Sequence, residues 1–186
     1  MFGPHLNGPR VRLVAPTEEM LPQYIAWFSD TEITRYLGRD IPPSPIEERE
    51  WFERVSKSEK DVVWAILLGD RPIGTIGIHA IDWRNRHAVT GIMIGAKEEW
   101  GKGYAPEAQA LRTRYAFEEL GLEKLMTSAV VGNNRSIRAL EKGGYKQCGL
   151  FRRHLYRGGK WHDMWHAELL REEWEAVRDA NSQATG

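Results

Sequence analysis

The first apolar run, Val11 to Ala15 ("VRLVA"), alternates with a period of two and predicts a strand. Thr17, Glu18 and Glu19 then supply a capping residue and two acids where a helix begins, so a helix is expected through about Phe28. A second start is built from Ser44 as N-cap, Pro45 in the first turn and Glu47, placed to close a capping box; this helix should reach about Val55. Between the two, "SDTEITRYLGRDIPP" reads as a loop carrying an exposed Tyr36.

The period then changes. Val62 to Leu68, Ile73 to Asp82 and His87 to Gly95 are short β-rich runs joined by "GDRP" and "WRNR", which implies an antiparallel meander. Pro106 and Glu107 begin a helix expected to end at Gly121, with Ala108, Leu111 and Tyr115 on its apolar stripe and Arg112 intruding on it. "LEKLMTSAVV" is a strand, and "NNRSIRALEKGG" a short helix capped by Asn133 or Asn134 and stopped by Gly143 or Gly144. A hairpin follows, Tyr145 to Tyr156 and Trp161 to Leu169, turning at "RGGK", then a helical end. The order predicts an α+β fold with a mixed, mostly antiparallel central sheet flanked by helices. Residues 1–180 are expected to form a single domain, with 181–186 as a polar C-terminal tail.

Composition narrows the function classes. The 26 basic and 26 acidic residues cancel, so no net field gathers nucleic acid or anionic membrane, and neither is expected as a partner. Cys148, the only cysteine, has no intramolecular partner and reads as a small packed residue. The N-terminal "MFGPHLNGPR" lacks the layout of a signal peptide, and no apolar run approaches the roughly 20 residues that span a bilayer. A cytoplasmic protein is expected. The eight tryptophans read as core and rim packing, with a binding or dimer surface as the sharper alternative.

Candidate chemistry centres on "EEWGKGYAPEA", Glu98 to Ala108. Two glycines after a strand and before a helix let backbone N–H groups converge at the positive end of the helix dipole, where a phosphate would sit. Neither the P-loop pattern nor the dinucleotide fingerprint is present, which argues against a nucleotide-binding module. "GIMIGAKEEWGKGYAPEA" resembles the acyl-CoA binding motif of the GCN5-related N-acetyltransferases, above all the branch of the ribosomal-protein alanine and spermidine acetyltransferases. "NNRSIRALEKGGY" resembles that family's next motif, and the element order agrees from Val11 to about Leu170.

The resemblance implies the acyl-CoA N-acyltransferase fold and acetyl-CoA as co-substrate. Ile92, Met93 and Ile94 would pair with the pantetheine arm; Trp100, Gly101, Lys102, Gly103, Tyr104 and Ala105 would surround the pyrophosphate, with Lys102 free to add charge. Asn133 would reach the pantetheine or thioester, and Arg138 and Lys142 are possible partners of the nucleotide's phosphates. A homodimer is a further implication.

An amine acceptor, a protein N-terminus or a small amine, would bind near Trp27, Phe28, Tyr36 and Leu37. Acetyl transfer needs a neutral amine, a stabilised oxyanion and a proton for the departing thiolate. The oxyanion donor is expected to be a backbone N–H near Met93. The family's frequent acidic tyrosine is replaced by Leu140, whereas Ser136 matches the serine proposed as acid in the ribosomal-protein branch. The usual strand glutamate is absent, with Val89 and Thr90 there instead, leaving Asp82, His79, Glu98 and Asp163 as candidate bases. Glu98 also stands where the motif shows Gln or Arg. His162 and His166 lie on a strand, about 13 Å apart at roughly 3.3 Å per residue, so no metal site is expected. The basic hairpin of Arg152, Arg153, Arg157 and Lys160 reads as a solvated face. The missing tyrosine and carboxylate motivate one alternative to an enzyme: an acyl-CoA binding or sensing domain.

Overall fold

The computed structural model describes residues 1–39 and 41–183, of which 180–183 as backbone only. An eight-stranded sheet has the order β1-β2-β3-β4-β5-β6-β8-β7, from β1 (Leu6–Asn7), β2 (Val11–Val14), β3 (Val62–Leu68), β4 (Arg71–Asp82), β5 (His87–Ile94), β6 (Lys124–Val130), β7 (Lys146–Arg157) and β8 (Lys160–Leu170). Every ladder is antiparallel except β5 with β6. Helix α1 spans Leu21–Phe28, α2 Thr31–Thr34, α3 Pro45–Lys57, α4 Tyr104–Arg114, α5 Asn134–Lys142 and α6 Arg171–Gln183.

Side chains alternate across the sheet and so sort the helices onto two faces. Ile76 and Ile78 of β4, Ala88 and Ile92 of β5 and Leu125 of β6 join Ala108 and Ala116 in the main core beneath α4. Met93, with the opposite parity, packs with Leu21, Tyr24, Trp27 and Trp51 of α1 and α3. The Ser44 capping box is present, its side chain accepting from Glu47 N while Glu47 accepts from Ser44 N.

Local departures from the expected elements have identifiable causes. A 3-10 turn, Glu18–Met20, precedes α1, and Thr17 at its N-cap makes no side-chain capping bond. The loop before α3 contains α2, capped by Asp30 accepting from Glu32 N. Tyr36 is half-buried rather than exposed: Arg157 donates to the carbonyls of Thr34 (3.0 Å) and Leu37 (2.6 Å), drawing this segment onto the C-terminal hairpin. Helix α4 starts at Tyr104, ahead of Pro106, and passes into a π-helical turn over Tyr115–Glu119. Arg112 lies at the centre of its buried face, beside Ala108, and does not merely intrude on it.

Cys148 is exposed on β7, not packed, since β7 is an edge strand. Of the tryptophans, Trp64, Trp27 and Trp165 are buried, while Trp83 and Trp161 are exposed. Helix α6 reaches Gln183, so Asn181 to Gln183 of the expected tail are helical, and residues 184–186 lie outside the described residues. Among the described residues, no helix is long and apolar enough to cross a membrane.

Gly95 reports on the α1 packing. A Cβ there would sit 2.0 Å from Trp27 Cδ2, whereas one at Gly38 would meet nothing within 4 Å. Gly95→Ala is expected to lower stability by about 1–3 kcal/mol through overpacking, and Gly38→Ala by well under about 1 kcal/mol. Urea midpoints of the two variants check the contrast.

Candidate active site

The parallel β5–β6 ladder lasts only from His87↔Lys124 to Val89↔Met126. Beyond it, β6 keeps its partner β8 while β5 continues with β4 alone, so the two strands part. Two threonines close the vertex: Thr90 Oγ1 donates to Met126 O and Thr127 Oγ1 donates to Thr90 O, both at 3.2 Å. Because the Thr90 carbonyl faces β6, strand alternation directs the backbone groups of Ile92 and Ile94 into the gap and those of Gly91 and Met93 toward β4. The Met93 oxygen indeed lies against Gly74 of β4. Near Met93, the backbone N–H that faces the gap is therefore that of the neighbouring Ile92. Trp100 Nε1 occupies the Ile94 carbonyl at 2.8 Å, which makes Trp100 a brace of this edge.

A cavity of about 810 Å³ passes through the gap, walled by Gln109 and Arg112 on the α4 face and by Tyr24, Glu48 and Trp51 on the other. It brings together Phe28, Tyr36, Leu37, Ile92, Met93 and Ser136. Trp27 is not in its wall; its ring is buried over Gly95 and borders a smaller cavity instead. Ile94, Asn133, Arg138 and Lys142 are not in it either. The Asn133 side chain caps α5 by accepting from Ser136 N at 3.4 Å, and Arg138 and Lys142 are exposed.

The glycine loop lies outside this cavity and has its own scaffold. Gly101 (φ 80°) and Gly103 (φ 86°) occupy the left-handed region, which turns successive N–H groups one way. Arg10 donates to the carbonyls of Lys102 (3.0 Å) and Gly103 (3.3 Å), holding the oxygens on the other side. Glu107 in turn fixes Arg10, accepting from its Nε at 2.8 Å and from the backbone N–H groups of Arg10 and Val11. Lys102 is not free: its ammonium meets Glu99 at 2.9 Å, and Arg71 pairs with both Glu99 and Glu98. Lys102, foremost, and Arg71 hold the Glu99 carboxyl below its ordinary range despite partial burial. Arg71 also neutralises Glu98, so that carboxylate is neither a base at the cavity nor an isolated anion beside the loop.

His79 is the candidate base that the cavity contains. Its ring lies across Gly77 and Gly91, and a Cβ on Gly77 would come within 2.4 Å of Nε2. Nδ1 faces Asp61 Oδ1 at 3.1 Å, while Asp61 Oδ2 accepts from Ser58 Oγ at 2.6 Å. Burial alone would raise the Asp61 carboxyl, but the bonds from Ser58 and His79 outweigh it and leave it below its ordinary value. The other candidates are committed elsewhere: Asp82 closes the turn onto Asn85, and Asp163 accepts from Arg153 N at 2.8 Å. Glu48, 5% exposed, has its carboxyl raised by burial and by Glu47, against Arg39.

The pattern of the family described as "Acetyltransferase (GNAT) domain" matches residues 10–146. This chain belongs to the GNAT acetyltransferases. The uncharacterized N-acetyltransferase YoaA of Bacillus subtilis (strain 168) is 31% identical over 165 residues, 86% of this chain and 93% of that one. YdaF of the same strain, provisionally named a ribosomal N-acetyltransferase, is 41% identical over 105 residues, 56% and 57% of the two chains. Among solved structures, spermidine N-acetyltransferase from Vibrio cholerae in complex with CoA and spermine aligns with TM-score 0.84 at 20% identity, over 89% of this chain and 98% of that one.

Within this GNAT chain, Arg10, Asp61, Glu48 and Arg71 escaped the sequence reading. They reach the site from sequence-distant segments, and only the cap-like Glu107 has a local signal. Asp61 also generates a pH dependence. Its lowered carboxyl contributes stability that is full above the unfolded value near ~4 and is lost as pH falls through the folded value. Asp61→Asn should cost about 1–2 kcal/mol at pH 7 and progressively less below about pH 4. Urea titrations at pH 7 and pH 3 measure the difference.

Proposed function

We propose that this GNAT chain moves an acetyl group from acetyl-CoA directly to a cationic primary amine, either a protein N-terminus or a polyamine. The observation that carries this reading is the His79–Asp61 pair, in the wall of the cavity that holds the open edge of β5. A histidine held by a carboxylate in the cavity wall suits proton transfer beyond its contribution to stability, which favours catalysis over an acyl-CoA sensing domain.

The residues present suit the donor. Left-handed Gly101 and Gly103 leave backbone donors unshielded for a pyrophosphate, and the Ile92 edge offers a strand's hydrogen bonds to a pantetheine amide. The bound thioester supplies the acyl group; the chain supplies the rest. On this side of the cavity Glu47, Glu48 and Glu50 outnumber Arg39 and Arg54, a balance that suits an ammonium. At pH 7 only about one in a thousand polyamine nitrogens, and about one in ten protein N-termini, is neutral, so a base is needed. With Asp61 accepting from Nδ1–H, His79 presents Nε2 as that base. The Ile92 N–H faces the gap where an oxyanion would develop, and Ser136, at the third position of α5, is the proton donor for the thiolate.

Purified protein with acetyl-CoA should release free thiol on addition of one of a panel of polyamines or Ala- and Ser-starting peptides. Saturable CoA binding with no thiol release across that panel would overturn the catalytic reading. His79→Gln is expected to lower kcat about 10²-fold or more, with CoA affinity unchanged within about twofold. Gly103→Val should weaken CoA binding at least about tenfold, since its φ of 86° excludes a β-branched side chain and the loop must distort; calorimetry reads this directly.

A further inference from the structure

The vertex of the cleft holds a cation that nothing in the reaction above requires. Arg112 is only 1% exposed, and its Nη2 reaches the Tyr145 hydroxyl at 3.2 Å and Thr113 Oγ1 at 3.5 Å. Its Nε has no partner, and among the described residues no carboxylate pairs with it. The Tyr145 hydroxyl is itself shared with Thr90 Oγ1 at 3.1 Å, the threonine that closes the β5–β6 vertex.

A guanidinium stays protonated inside a protein, and burying one without an anion costs several kcal/mol. Burial does push the Arg112 pKa down from its ordinary value. An apolar residue would fill this place in the core with no such penalty. Arg112 nevertheless lies in the cavity wall, flanked by Gln109, Thr90 and Thr127, all nearly buried, on the α4 face of the gap. Both threonine hydroxyls already donate to backbone carbonyls, so Arg112, with its unpartnered Nε, and the Gln109 amide are the donors of this pocket, beside the point where the acyl end of a thioester arm would come to rest. Arg112 stands eight residues beyond the start of α4, about 12 Å along the axis at 1.5 Å per residue, so it is remote from the glycine loop and its phosphate.

We propose that this pocket receives the carboxylate of a dicarboxylic acyl group, making the preferred donor a malonyl- or succinyl-type thioester. The proposal rests on the CoA-dependent acyl-transfer reading and extends it to the donor. The reaction balances as for acetyl: the amine nitrogen attacks the thioester carbonyl, the C–N bond forms and the C–S bond breaks. The sulfur leaves with its electron pair and takes a proton, the amine proton passes to His79, and the distal carboxylate stays unchanged on Arg112.

Calorimetry on the full chain with CoA, acetyl-CoA, butyryl-CoA and succinyl-CoA tests it, butyryl-CoA being the neutral control. Succinyl-CoA should bind at least tenfold more tightly than butyryl-CoA. Arg112→Met should bring that ratio close to one, and Arg112→Lys should retain part of it; thermal melts establish that both variants fold. A ratio of one or less in the unmodified protein overturns the proposal, without reference to any variant. Failure of CoA itself to bind would instead strike the acyl-transfer reading, which keeps the two failures distinguishable.

Discussion

The parting of β5 from β6 is the constraint on which the rest depends. A sheet normally pairs every buried backbone donor and acceptor, because an unpaired group costs about as much as a lost hydrogen bond. Here the parallel ladder ends after Val89 and Met126, and the crossed bonds of Thr90 and Thr127 fix where the gap starts. The vertex threonines are tied in turn to Tyr145 and Arg112, so one buried network sets the shape of the cleft from beneath. Past it, the Ile92 edge has no strand beside it, which is where the proposed reading seats the amides of the thioester arm.

Alternation along β4 and β5 then divides the labour. One parity faces α4, where Arg112, Gln109 and Thr90 line the vertex; the other faces α1 and α3, where His79 lies over two glycines on the side of Glu48 and Glu50. In the proposed reaction a donor arm and an acceptor would meet at this gap from opposite faces of the sheet. The glycine loop is a third, separate unit. Its conformation comes from Gly101 and Gly103, and its orientation from Arg10 and Glu107, which tie it to the start of β2. The charges around it are internally paired through Arg71, Glu98, Glu99 and Lys102, so anion binding there rests on backbone dipoles more than on a lysine.

What could be read from the chain was what is locally encoded. The Ser44 capping box, the meander turns, the two glycines before α4 and the cap of α5 are set by residues within a few positions of one another, and each lies where expected. The cleft's cavity likewise contains Phe28, Tyr36, Leu37, Ile92, Met93 and Ser136. Errors arose where a tertiary partner decides. Trp27 read as an acceptor contact until Gly95 took its ring, and Met93 differs from Ile92 only through the phase of the ladder; Lys102 is the local exception, read as free although Glu99, three residues before it, pairs with its ammonium. Arg112 looked like a blemish on an apolar stripe; its burial becomes intelligible only beside Tyr145 and Thr90, which come from elements far along the chain.

The central claim is that the Ile92 edge of β5 is held open for a thioester arm. Amide hydrogen exchange resolved at Ile92 and Met93, measured with and without saturating CoA, tests it most directly. The account predicts that CoA slows exchange at Ile92 at least about tenfold and leaves Met93, already bonded to β4, nearly unchanged. Unaltered exchange at Ile92 under saturating CoA would contradict it.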